Sequence, residues 1–392
     1  MKGDFSRLTF DPRRGYAGVY RQQGRVELDA DWNEAADIAR RRERLSVVDA
    51  LGRCAISRLT PDAFRIAIDD AGSLTIAPGR IYVDGLLAEC FGEGRERVDP
   101  ILGELVGSEP VAYERQPFVP QPEPMPSPPY VVYLDVWERS VTAAEDPSLV
   151  EPALGVDTSV RLQTVWQVKV VGGTVSLDEL DAGRGTLSAT LGKGGYAGTE
   201  NRLYRVEVHD PGSMGKATFT WSRNNGALAA GVVAIGSDRR TLHLRVLGDG
   251  PPFRTGEMIE LLDERHELGA RPGILARVER WALPELILAE PVTEEPDVAL
   301  RPRVRVWDGY GSVMQGWIAL EDGVEVSFGG DGFRTGDWWT FPARTVGPEV
   351  EQPTDAPPRG IHHHRCLLAT VSSEGRVEDA HGRPPEDPQT AG

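Results

Sequence analysis

The fold class of this chain is decided by one stretch of sequence, Tyr130-Val-Val-Tyr-Leu-Asp-Val-Trp137. It is the most apolar run in the chain and is rich in β-branched and aromatic residues, which favour strands. A second run of the same character is Leu162-Gln-Thr-Val-Trp-Gln-Val-Lys-Val-Val171. Such runs are typical of strands buried on both faces. We therefore predict that both segments are central strands of a β-sheet.

Shorter alternating runs separated by turn residues extend this prediction along the chain. They fall at 64–68, 74–76, 80–87, 203–209, 217–222, 304–307, 324–328, 338–342 and 367–371. Asn225-Gly226 predicts a hairpin turn, and residues 241–292 predict a small barrel of four or five strands. The fold class expected is mainly β, a multi-module chain of β-sandwich and barrel units with an N-terminal extended arm and one helix.

The first fifty residues are organised differently from the rest. A turn-rich leader is followed by a helix whose N-cap we place at Asp31, with Glu34 completing a capping box and Gly52 ending the helix. One helix face is expected to pack and the other to carry charge. The expected packing face holds Trp32, Ala35, Ala36, Ala39, Leu45, Val48 and Leu51, and the charged face holds Arg40, Arg41, Arg42 and Arg44.

The N-terminal part of the chain also differs from the remainder in charge. Residues 1–65 hold 13 Lys+Arg against 10 Asp+Glu, whereas the whole chain has a net charge of −17. A slightly basic arm on an acidic body favours docking to a neighbouring copy or partner. The expected docking residues are Phe5, Phe10, Arg25, Trp32, Arg40, Arg41 and Arg44.

Composition also excludes several classes of protein. An acidic body repels nucleic-acid phosphates, so nucleic acid is not an expected partner. The chain has no apolar run long enough for a membrane helix and no signal-peptide pattern near Met1, so we expect a soluble protein that folds in the cytoplasm, without membrane insertion. Cys54, Cys90 and Cys366 are odd in number and far apart, which predicts buried thiols and not a disulfide framework.

The expected domain organisation follows the changes in pattern. Residues 109–129 contain eight prolines and predict a semi-rigid connector or a strap on a surface. The division is an arm and helix at 1–52, a small β module at 53–108, the connector at 109–129, a central β domain at 130–240, a barrel-like insert at 241–295, the C-terminal part of the β domain at 296–372 and a flexible tail at 373–392.

No recognised catalytic motif is present, so we expect no enzyme activity and no cofactor. One cluster supports a sharper alternative, His362-His363-His364. On a strand, His362 and His364 share one face, and in a trimer six such imidazoles would suit a first-row metal at the threefold axis. The alternative is a histidine cluster that only packs and forms hydrogen bonds. Tryptophans 137, 166, 221, 307, 317, 338 and 339 are expected to pack, with stacking on sugars as the alternative.

Several longer motifs together resemble an uncharacterised bacterial family. They include Gln22-Gln-Gly-Arg-Val-Glu-Leu-Asp-Ala-Asp-Trp-Asn-Glu34, Pro78-Gly-Arg-Ile-Tyr-Val-Asp-Gly85, Tyr133-Leu-Asp-Val-Trp-Glu-Arg139 and Thr218-Phe-Thr-Trp-Ser-Arg-Asn-Asn-Gly226. That family is a domain of unknown function found among genes of phage-tail-like contractile injection systems. The leader also resembles the start of a phage tail family.

The resemblance implies a non-enzymatic structural subunit of a contractile tail-like particle, in the baseplate or an appendage attached to it. Its expected partners are other contractile-tail and baseplate proteins and further copies of itself, with a trimer favoured. The alternative is a receptor-binding or carbohydrate-binding tail fibre module.

Overall fold

A computed structural model describes residues 1–69, 72–99, 103–177, 180, 184–245, 247, 253–345 and 353–380. The described residues contain two α-helices, α1 (Asp29–Leu51) and α2 (Glu264–Leu268), and are otherwise built from β-strands. The mainly β prediction is therefore confirmed. The sequence reading missed α2, a five-residue helix whose Asp263 N-cap accepts a hydrogen bond from the backbone of Arg265.

The strands follow one another along the chain with short connections. The first group is β1 (Cys54–Ile56), β2 (Ile66–Ile68), β3 (Leu74–Ile76), β4 (Gly79–Val83), β5 (Leu86–Cys90), β6 (Glu93–Val98), β7 (Leu105–Glu109) and β8 (Val111–Ala112). The second is β9 (Tyr130–Val141), β10 (Val150–Glu151), β11 (Val156–Asp157), β12 (Arg161–Gly172), β13 (Thr186–Leu191), β14 (Arg202–Val208) and β15 (Thr218–Ser222).

The remaining strands form the barrel and then return to the sheets. The barrel strands are β16 (Ala229–Ile235), β17 (Thr241–Arg245), β18 (Met258–Leu262), β19 (Ile274–Ala282), β20 (Glu285–Leu288) and β21 (Arg303–Trp307). The last six are β22 (Gly309–Ser312), β23 (Trp317–Ala319), β24 (Val324–Gly329), β25 (Trp338–Ala343), β26 (His364–Val371) and β27 (Val377–Asp379). Residues 381–392 of the expected tail lie outside the described residues.

The first core joins the N-terminal strands to the long strands identified first in the sequence. A four-stranded antiparallel sheet has the order β12-β9-β26-β27, and its apolar side packs on the small sheets β1-β4-β5 and β2-β3-β8. Strand β9 is central, as predicted, but β12 lies at the sheet edge, so the prediction of two central strands is wrong for β12. Its outer edge is covered by the proline-rich segment, where the Gln116 side chain bonds to both backbone groups of Val168.

A second core lies inside a β-sandwich. The sheet β22-β15-β14-β25 faces the sheet β13-β24-β23, and between them pack Val206, Phe219, Phe328 and Trp339. A third core fills the closed barrel of order β16-β17-β20-β19-β18-β21. Strands β16 and β21 lie outside the expected range 241–295, so the barrel is longer in sequence than the pattern indicated.

The Asn225-Gly226 turn forms, but it does not make the predicted hairpin. Both residues have positive φ, 51° and 63°, as the turn signal requires. Strand β15, before the turn, belongs to the sandwich, whereas β16, after it, belongs to the barrel. The turn therefore connects two cores, and the hairpin prediction is wrong.

Two of the cysteines form a disulfide, which corrects the prediction of three free thiols. Cys54 in β1 is bonded to Cys366 in β26, with 6.0 Å between their Cα atoms and 312 residues between them in sequence. Cys90 is a buried free thiol. The bridge ties the N-terminal sheets to a strand near the far end of the chain. Among the described residues, no helix is long and apolar enough to cross a membrane.

Candidate functional site

The first ten residues, which we call the anchor, are fixed in the body of the protein. The Asn225 side-chain amide donates hydrogen bonds to the carbonyl oxygens of Met1 (3.0 Å) and Gly3 (2.9 Å). Asn225 is fully buried at the turn between sandwich and barrel. The residue read from sequence as a turn former thus holds the N-terminal strand of the arm.

A buried charge pair fixes the anchor beside Asn225. The Lys2 ammonium lies 2.9 Å from a Glu207 carboxylate oxygen, and the Arg205 guanidinium binds the other oxygen at 2.5 Å. Although burial opposes ionisation, these two positive charges lower the pKa of Glu207 to about 2. Arg205 also lies over the ring of Trp338, with 4.3 Å between the guanidinium carbon and the ring centroid.

The anchor also fits closely at Gly3, which is buried. Its φ is +149°, and a Cβ placed there would lie 2.9 Å from side-chain carbons of Phe5 and Val160. A larger residue at this position would clash with both neighbours. Phe5 is half-buried against this contact, so this expected docking residue serves the chain's own packing.

The second half of the anchor runs along the start of α1. Asp29 accepts hydrogen bonds from the backbone and hydroxyl of Ser6, at 2.8 and 2.5 Å, and Glu34 accepts one from the Thr9 hydroxyl at 2.7 Å. The helix begins at Asp29 with Leu28 as N-cap and no capping side chain, so the predicted Asp31 cap and Glu34 capping box are wrong. The predicted end at Gly52 is confirmed.

The apolar residues of α1 do not pack as predicted. The buried helix residues are Ala30 and Ile38, whereas Trp32, Leu45 and Leu51 are exposed. The helix is held mainly by polar contacts from the face assigned to charge. The Arg40 guanidinium binds Glu138 at 2.6 Å, and the Arg44 guanidinium donates to the Asp84 carbonyl at 2.7 Å. Those contacts reverse the expected roles of the two faces.

Between anchor and helix, residues 15–28 form an exposed loop that we call the arm loop. Its apolar side chains are open to solvent, with Tyr20 91% and Val26 84% exposed, and the adjoining Trp32 is 68% exposed. The loop is closed by an Arg21–Glu27 ion pair of 2.5 Å. It borders an open hollow of about 480 Å³ against the start of α1, lined also by Arg25.

A larger feature is the cleft where the anchor, α1, the sheets and the barrel meet. It has a volume of about 240 Å³. The residues lining it come from widely separated parts of the sequence and include Lys2, Arg40, Arg44, Arg139, Arg205, Glu207, Glu260, His362 and His364. The structure thus brings together four residues that the sequence singled out, Arg40, Arg44, His362 and His364.

One wall of this cleft is a network of buried ions that sequence reasoning missed. Glu267 of α2 binds Arg139 at 2.9 Å and also pairs with Arg303 of the barrel. Arg303 is fully buried and pairs with the buried Glu145 at 3.0 Å. The nearby arginines hold the pKa of Glu267 at about 2 against the opposing effect of burial. These pairs connect the central sheet to the barrel.

The three consecutive histidines separate into two environments. His362 and His364 line the cleft, whereas His363 turns to Asp135, with 2.9 Å between its Nδ1 and a carboxylate oxygen. The strand starts only at His364, so the prediction that all three lie on a strand is wrong. The common face expected for His362 and His364 is the cleft wall.

His364 already has two partners within the chain. Its Nδ1 lies 2.9 Å from an Asp84 carboxylate oxygen, and the Arg44 guanidinium lies 2.8 Å from its Nε2. Burial opposes ionisation of Asp84, but hydrogen bonds from His364 and Arg53 bring its pKa well below the usual range. No group of three or more potential metal ligands occurs within the described part of this chain. A metal shared by His362 and His364 across a trimer stays a prediction.

The other expected docking residues remain at the surface. Arg25 and Arg41 are exposed, and Phe10 is half-buried where the anchor ends. Of the seven tryptophans expected to pack, five are buried, Trp338 is half-buried against Arg205, and Trp317 is 54% exposed. Docking chemistry is therefore concentrated on the arm loop and the outer side of α1.

The chain belongs to DUF6519, a family of unknown function whose sequence model matches residues 1–192 and 187–383. A comparison with curated proteins found no match. No solved structure matches either.

Proposed function

We propose that this chain is a non-enzymatic structural subunit of a contractile phage-tail-like injection particle, located in the baseplate or in an appendage attached to it. The observation that carries the proposal is the arm loop, which exposes Tyr20, Val26 and Trp32 beside a hollow. Exposed apolar patches of this kind mark protein–protein contact sites. The family resemblance noted in the sequence supplies the particle in which the contact would be made.

The arm loop suits a protein partner with an apolar centre and an acidic rim. Aromatic and arginine side chains are the usual anchors of protein interfaces. Arg25 and Arg41 lie exposed around the apolar residues and would face acidic groups of the partner. The partner is another tail or baseplate protein, or a further copy of this acidic chain, with a trimer favoured. We propose no nucleic-acid or membrane partner.

The disulfide favours a particle that acts outside the cell. Disulfides persist in oxidising surroundings and are rare in the reducing cytoplasm. The Cys54–Cys366 bridge joins the N-terminal sheets to β26 and would strengthen the subunit after release. The proposal is therefore a chain synthesised in the cytoplasm and carried in a particle that is later released.

A matched pair of variants tests the proposal. Tyr20→Ser/Trp32→Ser removes the apolar anchors of the arm loop, and Tyr310→Ser/Trp317→Ser removes two exposed aromatics from another surface. Mass photometry and co-purification with tail components are measured for each. We expect assembly to be lost only with the arm-loop variant. Assembly that survives in both variants, or a strict monomer that never co-purifies with tail proteins, would refute the proposal.

The second candidate function, a receptor-binding or carbohydrate-binding module, has one specific observation in its favour. Tyr310, Met314 and Trp317 are exposed within eight residues of sequence, and exposed aromatic faces can stack on sugars. This alternative predicts saturable glycan binding that is lost with Tyr310→Ser/Trp317→Ser and kept with the arm-loop variant. An intact particle that binds nothing on a glycan array would count against it.

A further inference from the structure

The cleft is positively charged although the chain carries a net charge of −17. Seven lysine and arginine side chains line it, against four glutamates. Each glutamate is already engaged by groups of the protein. The pairs are Glu138 with Arg40, Glu207 with Lys2 and Arg205, Glu267 with Arg139 and Arg303, and Glu260 with the Trp307 indole at 2.9 Å.

Arg44 differs from the other arginines named here because its contacts among the described residues include no carboxylate. Its guanidinium donates to the backbone carbonyl of Asp84 and lies against the ring of His364. The Asp84 carboxylate is itself directed to Arg53 and His364. A guanidinium held in this way keeps donors and charge for an anion.

His362 lies beside Arg44 in a positive field. Loss of solvent in the cleft lowers the pKa of His362 first, and the charges of Arg184, His364 and Arg44 lower it further. Arg184 is fixed next to it by a 2.5 Å hydrogen bond to the carbonyl of Ile361. A field that opposes a proton on His362 attracts an anion to the same place.

We propose that the cleft binds a small oxyanion, a phosphate or a carboxylate, between the Arg44 guanidinium and the His362 imidazole. Arginine is suited to this role because its planar fork matches both kinds of anion. The volume of about 240 Å³ lies below the roughly 300–1,000 Å³ of sites for drug-sized ligands. The ligand is therefore a small molecule or the tip of an acidic side chain. This inference does not depend on the tail-particle proposal.

Titration of the full-length chain with inorganic phosphate, at constant ionic strength set with chloride, tests the inference. The readouts are the ring resonances of His362 and the thermal midpoint. We expect a saturable shift and a rise of the midpoint with phosphate. His362→Ala and Arg44→Gln should each weaken binding about tenfold or more, the range for loss of one charge-assisted hydrogen bond. The matched control is Arg41→Gln, on the exposed side of the same helix.

Parallel titrations with citrate and acetate identify the kind of oxyanion. Saturation by phosphate alone assigns a phosphate ligand, and saturation by carboxylates assigns an acidic one; both outcomes support the site. His362 is exposed at the cleft, so His362→Ala keeps the test valid even if Arg44→Gln is unstable. The inference is overturned if no anion saturates, or if all three variants bind with the affinity of the parent chain.

Discussion

The amide nitrogen of Asn225 lies 2.9 Å from the carbonyl oxygen of Gly3, a residue 222 positions away in sequence. The same side chain also holds the carbonyl of Met1. Asn225 sits at the turn where the chain passes from sandwich to barrel, so the anchor is attached where these two units meet. This attachment fixes the path of residues 1–10 and leaves residues 15–28 to project.

Replacing Asn225 with glycine should release the anchor without disturbing the turn. Glycine accepts the positive φ of 51° at this position, so only the side-chain hydrogen bonds are lost. Leaving two buried carbonyls without donors should lower the free energy of unfolding by about 1–3 kcal/mol. Urea unfolding of Asn225→Gly and the parent chain measures this. Equal stability would show that the anchor is not held by this residue.

Gly3→Ala should be destabilising because the added methyl group meets Phe5 and Val160 at 2.9 Å. We expect a loss of about 1–3 kcal/mol from overpacking and the unfavourable φ. Gly18→Ala in the arm loop is the control, since its nearest neighbour is a Tyr20 ring carbon at 3.7 Å. Its effect should stay within about 0.5 kcal/mol. Similar effects of the two substitutions would contradict a tightly packed anchor.

The Cys54–Cys366 bridge should leave one thiol per native chain, that of Cys90. Alkylation under denaturing, non-reducing conditions followed by mass spectrometry counts the free thiols. Cys54→Ser/Cys366→Ser should lower the free energy of unfolding by about 2–5 kcal/mol because the bridge closes a long loop. Three reactive thiols in the purified protein would contradict the bridge.

Asp337 should titrate at higher pH than a solvated aspartate. Burial raises its pKa to about 6, with the nearby charge of Arg184, 3.0 Å away, acting in the opposite direction. The folded state then holds a proton that the unfolded state releases near its ordinary pKa of about 3.9. The contribution of Asp337 to stability should therefore fall as pH rises from about 4 to about 6, then level off.

The direct measurement is the ¹³C carboxyl titration of Asp337 by NMR, with an expected midpoint near 6. Asp337→Asn should remove this group's contribution to the pH dependence of urea unfolding between those values. A midpoint near that of an exposed aspartate would disprove the prediction.

The elements predicted best from sequence are those whose pattern is repeated over several residues. The run at 130–137 is a buried central strand because almost every residue in it is apolar and β-branched or aromatic. The start of α1 was misplaced because Asp29 and Glu34 bind Ser6 and Thr9. Local rules for capping cannot anticipate partners that the tertiary fold supplies.

The cleft was predicted only in part. Arg40, Arg44, His362 and His364 stood out because of residue type, but their meeting depends on contacts across some 320 residues. Lys2, Arg205 and Glu207 gave no sequence signal, since isolated charges are usually solvated. The disulfide was missed for a similar reason, because spacing alone cannot pair two cysteines 312 residues apart.

Hydrogen–deuterium exchange of the free full-length chain tests the central claim, that a fixed anchor presents an exposed arm loop. The backbone amides of Lys2 and Ser6 are hydrogen-bonded to Ser140 and Asp29, whereas residues 16–28 are exposed. The account predicts slow exchange in residues 2–6 and fast exchange in residues 16–28. Equally fast exchange in both segments would contradict it, because the anchor would then be as free as the loop.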